Sequence, residues 1–171
     1  MDINFGTLQR DVMRALGFLT RLPVAPKWFE GDDGKLSVTV RAFPVAAALA
    51  ALPAVLMLVA GTALDLPVLL TSTLAIAVTI GIGGALHEDG LADSADGFFG
   101  GFDRERRLDI MKDSRIGSYG AIGIGLVLLA KFEALGALPA ATLFAALVAG
   151  HAVSRFASTT LIFALDYARD D

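Results

Sequence analysis

The sequence contains no cysteine, and this absence removes a class of architectures. Without cysteine the chain has no disulfide framework, the usual support of small secreted domains. The chain also lacks an excess of positive charge, since 14 Lys and Arg face 18 Asp and Glu for a formal net charge of −4. This balance argues against nucleic acid as a partner.

The N-terminus lacks the continuous apolar core of a cleavable signal peptide, because Arg10, Asp11 and Arg14 interrupt it. Its apolar residues instead recur at three- and four-residue spacing, which predicts an amphipathic helix that Pro23 ends. These residues are Phe5, Leu8, Val12, Leu16, Leu19 and Leu22. Two interpretations stay open for this helix: it lies along a membrane surface, or it packs as an ordinary N-terminal helix.

Two long runs, Phe43–Leu64 and Leu66–Leu86, hold no charged residue. Asp65 separates them. The hydrophobic share of 55% and the mean hydropathy of +0.65 exceed those of a soluble domain. At about 1.5 Å per residue, each run is long enough to cross a hydrocarbon core of about 30 Å. Both runs are therefore predicted to span a membrane, the first with a kink at Pro53.

Two further spans are predicted at Ile116–Leu138 and Pro139–Leu165. Lys131 and Glu133 lie near the end of the first, where they are expected to snorkel or pair. Arg155 lies inside the second, and a buried arginine normally faces a protein interior or a wet cavity. The fold class is therefore an all-α, polytopic helical membrane protein: a single domain over residues 1–171 with about four transmembrane helices and the N-terminal amphipathic helix.

Positive residues flank the spans unevenly. Six precede Phe43, five lie between the second and third spans, and the turn at Asp65 has none. Because positive residues favour the cytoplasmic side, the segment between the second and third spans is expected to face the cytoplasm. A bacterial inner membrane fits this multi-pass arrangement.

That cytoplasmic segment begins with an acidic stretch, His87–Gly97. If the preceding apolar helix continues through it, Asp89, Asp93 and Asp96 stand at i, i+4 and i+7 on one face. Carboxylate oxygens suit Mg²⁺ or Mn²⁺, which commonly bridge one or two carboxylates to substrate phosphates. The spacing is not that of an EF-hand loop. A solvated acidic helix end is the alternative.

A second helix is predicted from Asp103, a suitable N-cap, to about Arg115. Most of its charges are expected to be solvated. Lys112, Asp113 and Arg115 are the exceptions singled out as candidates for contact with phosphates.

Several stretches of this sequence resemble the cobalamin synthase family, the adenosylcobinamide-GDP ribazoletransferases. The two longest are His87–Gly97 and Arg107–Gly117. Shorter resemblances lie at Phe18–Val24, at Phe43-Pro44 and at Ala152–Arg155. The resemblance covers nearly the whole chain.

This resemblance implies the last assembly step of vitamin B12. In that step α-ribazole or its 5′-phosphate attacks adenosylcobinamide-GDP, forms a phosphodiester and releases GMP, with Mg²⁺ required. Phosphoryl transfer depends mainly on positioning and charge neutralisation, which clustered aspartates, a metal and nearby cations can supply. The expected partners are these two substrates and the lipid membrane.

The site hypothesis assigns a role to each candidate. Asp89, Asp93 and Asp96 hold one or two Mg²⁺, and one of them or Asp113 deprotonates the attacking hydroxyl. Cationic or polar side chains contact the diphosphate or the leaving GMP. They are Lys112, Arg115, Arg155 and His87. For His87, a role as a base or as a cap of the helix end is also open.

Two other functions compete with this one. Membrane CDP-alcohol phosphotransferases use an Asp-Gly-x-x-Ala-Arg motif, but Asp89-Gly90-Leu91-Ala92 is followed here by Asp93. A divalent-cation transporter should carry carboxylates within several spans, and only Asp65 and Glu133 lie near the other apolar runs.

The family resemblance further implies additional spans after Asp171, so the chain is expected to be the N-terminal part of a longer one. Association between copies through an exposed apolar flank stays open.

Overall fold

The structure is a computed structural model that describes residues 5–31 and 39–168. All regular structure within these ranges is helical, as the sequence predicted. The α-helices are α1 (Phe5–Leu19), α2 (Phe43–Ala50), α3 (Leu52–Ala63), α4 (Val68–Gly83), α5 (Leu86–Gly100), α6 (Arg104–Ile110), α7 (Ser118–Ala137) and α8 (Ala140–Ala164). Short 3₁₀ turns occur at Pro26–Trp28 and Val40–Ala42.

Three segments of the described chain are long and apolar enough to cross a membrane: Val40–Ala63, Ser118–Ala137 and Thr142–Ala164. A fourth span results if α4 and α5 count as one bent segment. The predicted polytopic helical membrane protein is therefore confirmed. In the first span, α2 gives way to α3 at Ala51, two residues before Pro53, where the sequence predicted a kink.

The second predicted span is not one continuous helix, and this expectation was wrong. α4 ends at Gly83, and α5 leaves at 87° to it. Gly84 and Ala85 form the break with φ of 61° and 59°, both in the left-handed region. Glycine adopts this conformation at little cost and commonly ends a helix in this way. The acidic stretch therefore occupies a helix of its own.

α1 packs against the start of the first span. Its apolar face joins a buried cluster with α2, and the rings of Phe18 and Phe43 stack at 5.5 Å. Asp11, 2% exposed, accepts hydrogen bonds from Arg41 Nε at 2.9 Å and Nη2 at 2.5 Å. The structure thus favours the packed interpretation of this helix over one that only lies on a membrane surface.

The remaining helices pack in pairs that leave α4, α5, α7 and α8 around a common space. α8 runs beside α2, α3 beside α4, and α5 beside α7. Buried Thr159 of α8 donates to the Val40 carbonyl at 3.1 Å, which joins the last span to the first. A second apolar cluster, which includes Leu58, Ala75 and Leu147, joins α3, α4, α7 and α8.

The charged helix α6 begins as predicted and ends earlier. Asp103 is its N-cap, with the side chain accepting the Arg106 N–H at 2.8 Å. The helix stops at Ile110, short of the predicted end near Arg115. Lys112, Asp113 and Arg115 consequently lie in the connection to α7.

Candidate functional site

Helix α5 carries the three predicted aspartates on one face, although each meets a different environment. Asp89 is exposed, Asp93 is half-buried and Asp96 is buried. Helical spacing therefore places them as predicted, but on a shorter helix that follows a bend. The gradient of burial runs along α5 from its first turn towards its last.

Asp96 is held by the N-terminus of α7. Its Oδ2 accepts the Gly117 N–H at 2.7 Å, and its Oδ1 accepts the Gly120 N–H at 2.9 Å. Both glycines are close-fitting, because a Cβ at either position would overlap the Asp96 carboxylate. The first amides of a helix lack partners within the helix and attract negative charge, so Asp96 acts as a cap supplied from another helix.

The described residues contain no group of three or more His, Cys, Asp or Glu side chains placed to hold one metal ion. The capping bonds of Asp96 explain part of this, since both of its oxygens already accept amides. Asp89 and Asp93 lie one turn apart on the same face of α5. Two carboxylates match the ligand number that Mg²⁺ takes from protein when substrate phosphates and water complete its shell. The donor set of this pair therefore fits Mg²⁺, and a role of Asp96 as a third ligand stays a prediction.

Asp113 and Arg115 pair with each other in the connection before α7. Arg115 Nη2 lies 2.6 Å from Asp113 Oδ2, and Arg115 Nε lies 3.0 Å from Oδ1. These hydrogen bonds lower the pKa of Asp113 to about 2. A carboxylate with so low a pKa is a weak base. Lys112 is exposed in the same connection.

A cavity of about 440 Å³ lies between α4, α5, α7 and α8. His87 and Arg155, two residues that the sequence singled out, both line it. This location confirms that Arg155 faces a cavity, as its position within an apolar span predicted.

Glu88, Lys131 and His151 line the same cavity. Lys131 Nζ lies 3.3 Å from Glu88 Oε1, so Lys131 pairs as the sequence analysis expected. The Nδ1 of His151 lies 2.9 Å from the Leu147 carbonyl. A neutral His151 that donates through Nδ1 presents Nε2 as an acceptor.

A second, more polar pocket with a volume of about 390 Å³ lies at the bend. Asp89 and Arg21 both line it. The Arg21 N–H donates to the Ile82 carbonyl at 2.7 Å, and its side chain lies against Gly84, where a Cβ would sit 2.8 Å from Arg21 Cγ. The bend therefore brings the segment after α1 next to the acidic helix.

Sequence reasoning missed Glu88 and Arg21 as residues lining these two sites. Glu88 meets Lys131 across 43 positions of sequence, and no local pattern indicates such a contact. A signal for Arg21 was available, because it lies within one of the stretches that carry the family resemblance, Phe18–Val24.

Comparison with known proteins gives a consistent result. The family model described as cobalamin-5-phosphate synthase matches residues 11–171. The adenosylcobinamide-GDP ribazoletransferase of Sinorhizobium medicae (strain WSM419) is 51% identical over 127 residues, which cover 74% of this chain and 48% of the relative. Those of Shewanella frigidimarina (strain NCIMB 400) and Brucella ovis (strain ATCC 25840) are 46% and 42% identical over 92% and 93% of this chain.

The matched regions cover 48%, 60% and 63% of these three relatives, so the chain spans about half to three fifths of their length. No solved structure matches the chain.

Proposed function

Because the chain belongs to the cobalamin-5-phosphate synthase family, we propose that the protein transfers α-ribazole or its 5′-phosphate to adenosylcobinamide-GDP. The ribazole hydroxyl oxygen forms a new bond to the phosphorus that carries cobinamide. The bond from that phosphorus to the GMP oxygen breaks, and the hydroxyl proton passes to a base. The products are adenosylcobalamin, or its 5′-phosphate, and GMP.

One structural observation carries this proposal: side chains in the first turns of α5 line two adjoining pockets, with different side chains in each. His87 and Glu88 line the cavity with Arg155, whereas Asp89 lines the polar pocket with Arg21. A transfer between two substrates needs both to meet at one place with their charges neutralised. The first turns of α5 are the only part of the described chain that contributes side chains to both sites.

Mg²⁺ would be held by Asp89 and Asp93, with the substrate diphosphate and water as its other ligands. When bound, the ion neutralises charge that develops on the phosphoryl oxygens. Asp96 has a positioning role in this proposal, since its capping bonds fix α5 against α7 and thereby fix the direction of the Asp89 and Asp93 face.

The proton of the attacking hydroxyl passes to a carboxylate of α5 in this proposal. Asp113 was an alternative, and its low pKa makes it a weak base. Lys112 and Arg115, exposed in the connection before α7, remain candidates for contact with the leaving GMP. We place the site on the cytoplasmic side of a bacterial inner membrane, where nucleotides and Mg²⁺ are present, as the distribution of positive residues favours.

The test is GMP release from adenosylcobinamide-GDP and α-ribazole 5′-phosphate by membranes that carry the protein. Asp89→Asn and Asp93→Asn should each reduce the rate at least about 100-fold, the scale on which loss of one electrostatic group acts in a transition state. Glu105→Gln, which removes an exposed carboxylate from α6, is the control and should keep parental activity. Parental rates in both aspartate variants, or release that a Mg²⁺ chelator leaves unchanged, would show that the assignment is wrong.

A further inference from the structure

The cavity between α4, α5, α7 and α8 has an apolar floor and a polar rim. Apolar side chains from α4, α7, α8 and the connection between α7 and α8 form the floor: Ile76, Leu135, Leu138, Ala146 and Leu147. Several of them belong to the buried cluster of the bundle, so the floor is part of the packed core. A predominantly apolar cavity of about 440 Å³ with a few polar groups on one side is typical of a small-molecule site.

The rim carries Arg155, which forms no ion pair with a carboxylate in the part of the chain that the structure describes. Lys131 pairs with Glu88 at 3.3 Å, so these two charges offset each other. Arg155 donates from Nη1 to the Ser154 hydroxyl at 2.7 Å, and no carboxylate of the described residues lies within 4 Å of its guanidinium. A guanidinium in this situation favours an anion, and its planar fork matches the oxygens of a phosphate.

The cavity adjoins the pocket of Asp89. Gly83, the last residue of α4, lines both, and a small third pocket that includes Thr20, His87 and Arg155 lies between them. A ligand in the cavity therefore reaches the first turn of α5, next to the pocket that Asp89 lines. This is the arrangement expected of a second substrate.

We propose that this cavity binds the acceptor nucleoside of the transfer, with its aromatic base on the apolar floor and its 5′-phosphate at Arg155. This inference rests on the proposed function, because that function supplies the acceptor. The uncharged bicyclic base of ribazole requires apolar surroundings, and its phosphate requires a cation. The phosphate of an anionic lipid has the same chemistry, and the experiment separates the two sources.

Gly150 allows the cavity to be filled without disturbing its walls. It lines the cavity, and a Cβ built on it meets no atom within 4 Å. Gly150→Leu therefore adds a large apolar side chain to the cavity lining without a clash at its Cβ. Gly125→Leu is a matched control, because Gly125 lies in α7 away from the cavity lining and its Cβ also meets nothing within 4 Å.

The experiment measures binding of labelled α-ribazole 5′-phosphate to the protein in phosphatidylcholine nanodiscs, with and without added phosphatidic acid. Gly150→Leu should raise the Kd at least about tenfold, and Gly125→Leu should change it less than about twofold. Arg155→Met should weaken binding of α-ribazole 5′-phosphate at least about tenfold and leave binding of unphosphorylated α-ribazole within about twofold. This difference between the two ligands would not arise from a general loss of folding.

Equal binding of α-ribazole 5′-phosphate by the unmodified protein and Gly150→Leu would overturn the inference. So would binding of phosphatidic acid that depends on Gly150 while acceptor binding does not, because the cavity would then hold lipid. GMP release by the unmodified protein, measured separately, distinguishes a failure of the proposed function from a failure of this inference about the cavity. If release occurs and Gly150→Leu keeps the parental KM for the acceptor, the proposed function stands and this inference fails. Absence of both release and acceptor binding would overturn both.

Discussion

The carboxylate of Asp96 in α5 accepts the backbone N–H of Gly117 at the start of α7, at 2.7 Å. A second bond, from the Gly120 N–H, occupies its other oxygen at 2.9 Å. Helices α5 and α7 are therefore joined by a buried carboxylate placed at the N-terminus of α7. Of the three aspartates with helical spacing, this one supports structure while the other two remain candidates for chemistry.

We expect Asp96→Ala to destabilise the protein by about 1–3 kcal/mol, because it leaves two amides at the start of α7, one half-buried and one buried, without acceptors. The measurement is the midpoint of heat-induced loss of helical circular dichroism in detergent. Asp89→Ala, which removes an exposed carboxylate from the same helix, should leave the midpoint nearly unchanged. Equal midpoints for the two variants would contradict the capping role.

The ion pair between Asp11 and Arg41 should respond asymmetrically to substitution. The Asp11 side chain is 3% exposed, whereas that of Arg41 is 53% exposed. Arg41→Met leaves a buried carboxylate without its cation and should cost roughly 1–3 kcal/mol, while Asp11→Asn leaves a cation that water can solvate and should cost less.

Thermal unfolding of both variants in one detergent tests this asymmetry. A larger loss for Asp11→Asn than for Arg41→Met would rule out this account.

Gly84→Ala should destabilise the bend between α4 and α5 by about 1–2 kcal/mol. Its φ of 61° lies in the left-handed region, and the new Cβ would sit 2.8 Å from Arg21 Cγ. Gly81→Ala is the matched control, since its Cβ meets nothing within 4 Å and alanine favours a helix interior.

The neighbouring substitution should act in the opposite direction. Ala85 has a φ of 59°, so Ala85→Gly should stabilise the bend by about 1 kcal/mol. The same thermal midpoints test all three variants, and a loss in Ala85→Gly would show that this backbone conformation carries no strain.

The ion pair of Asp113 and Arg115 should be insensitive to pH over the range in which enzymes are usually assayed. Its hydrogen bonds lower the pKa of Asp113 from 3.8 to about 2, so their contribution to stability is complete above about pH 4 and is lost as the pH falls towards 2. Asp113→Asn should therefore leave the shape of the profile of GMP release against pH unchanged above about pH 4. A profile whose acid limb, the fall in rate as the base becomes protonated, is lost in this variant would instead identify Asp113 as the base.

The bend at Gly84 and Ala85 shows what local sequence patterns can and cannot predict about this fold. Consecutive glycines at the end of α4 are a recognised signal for a helix C-terminus, and Gly84 adopts the corresponding left-handed conformation. Hydropathy alone favoured one continuous span over Leu66–Leu86, because the apolar run extends past these glycines. The spacing of the aspartates was nevertheless correct, since α5 is itself a helix.

The sequence by itself determined the helical membrane fold, the N-cap at Asp103, the common face of Asp89 and Asp93, and membership of the family. These features follow from hydropathy, helical periodicity and motif, all of which act between residues close in the chain. Only the tertiary structure decided that Asp96 caps α7, that Glu88 meets Lys131 and that His87 and Arg155 share a cavity. Each of these contacts joins residues more than 20 positions apart, and their meeting depends on how the helices pack after the chain bends at Gly84.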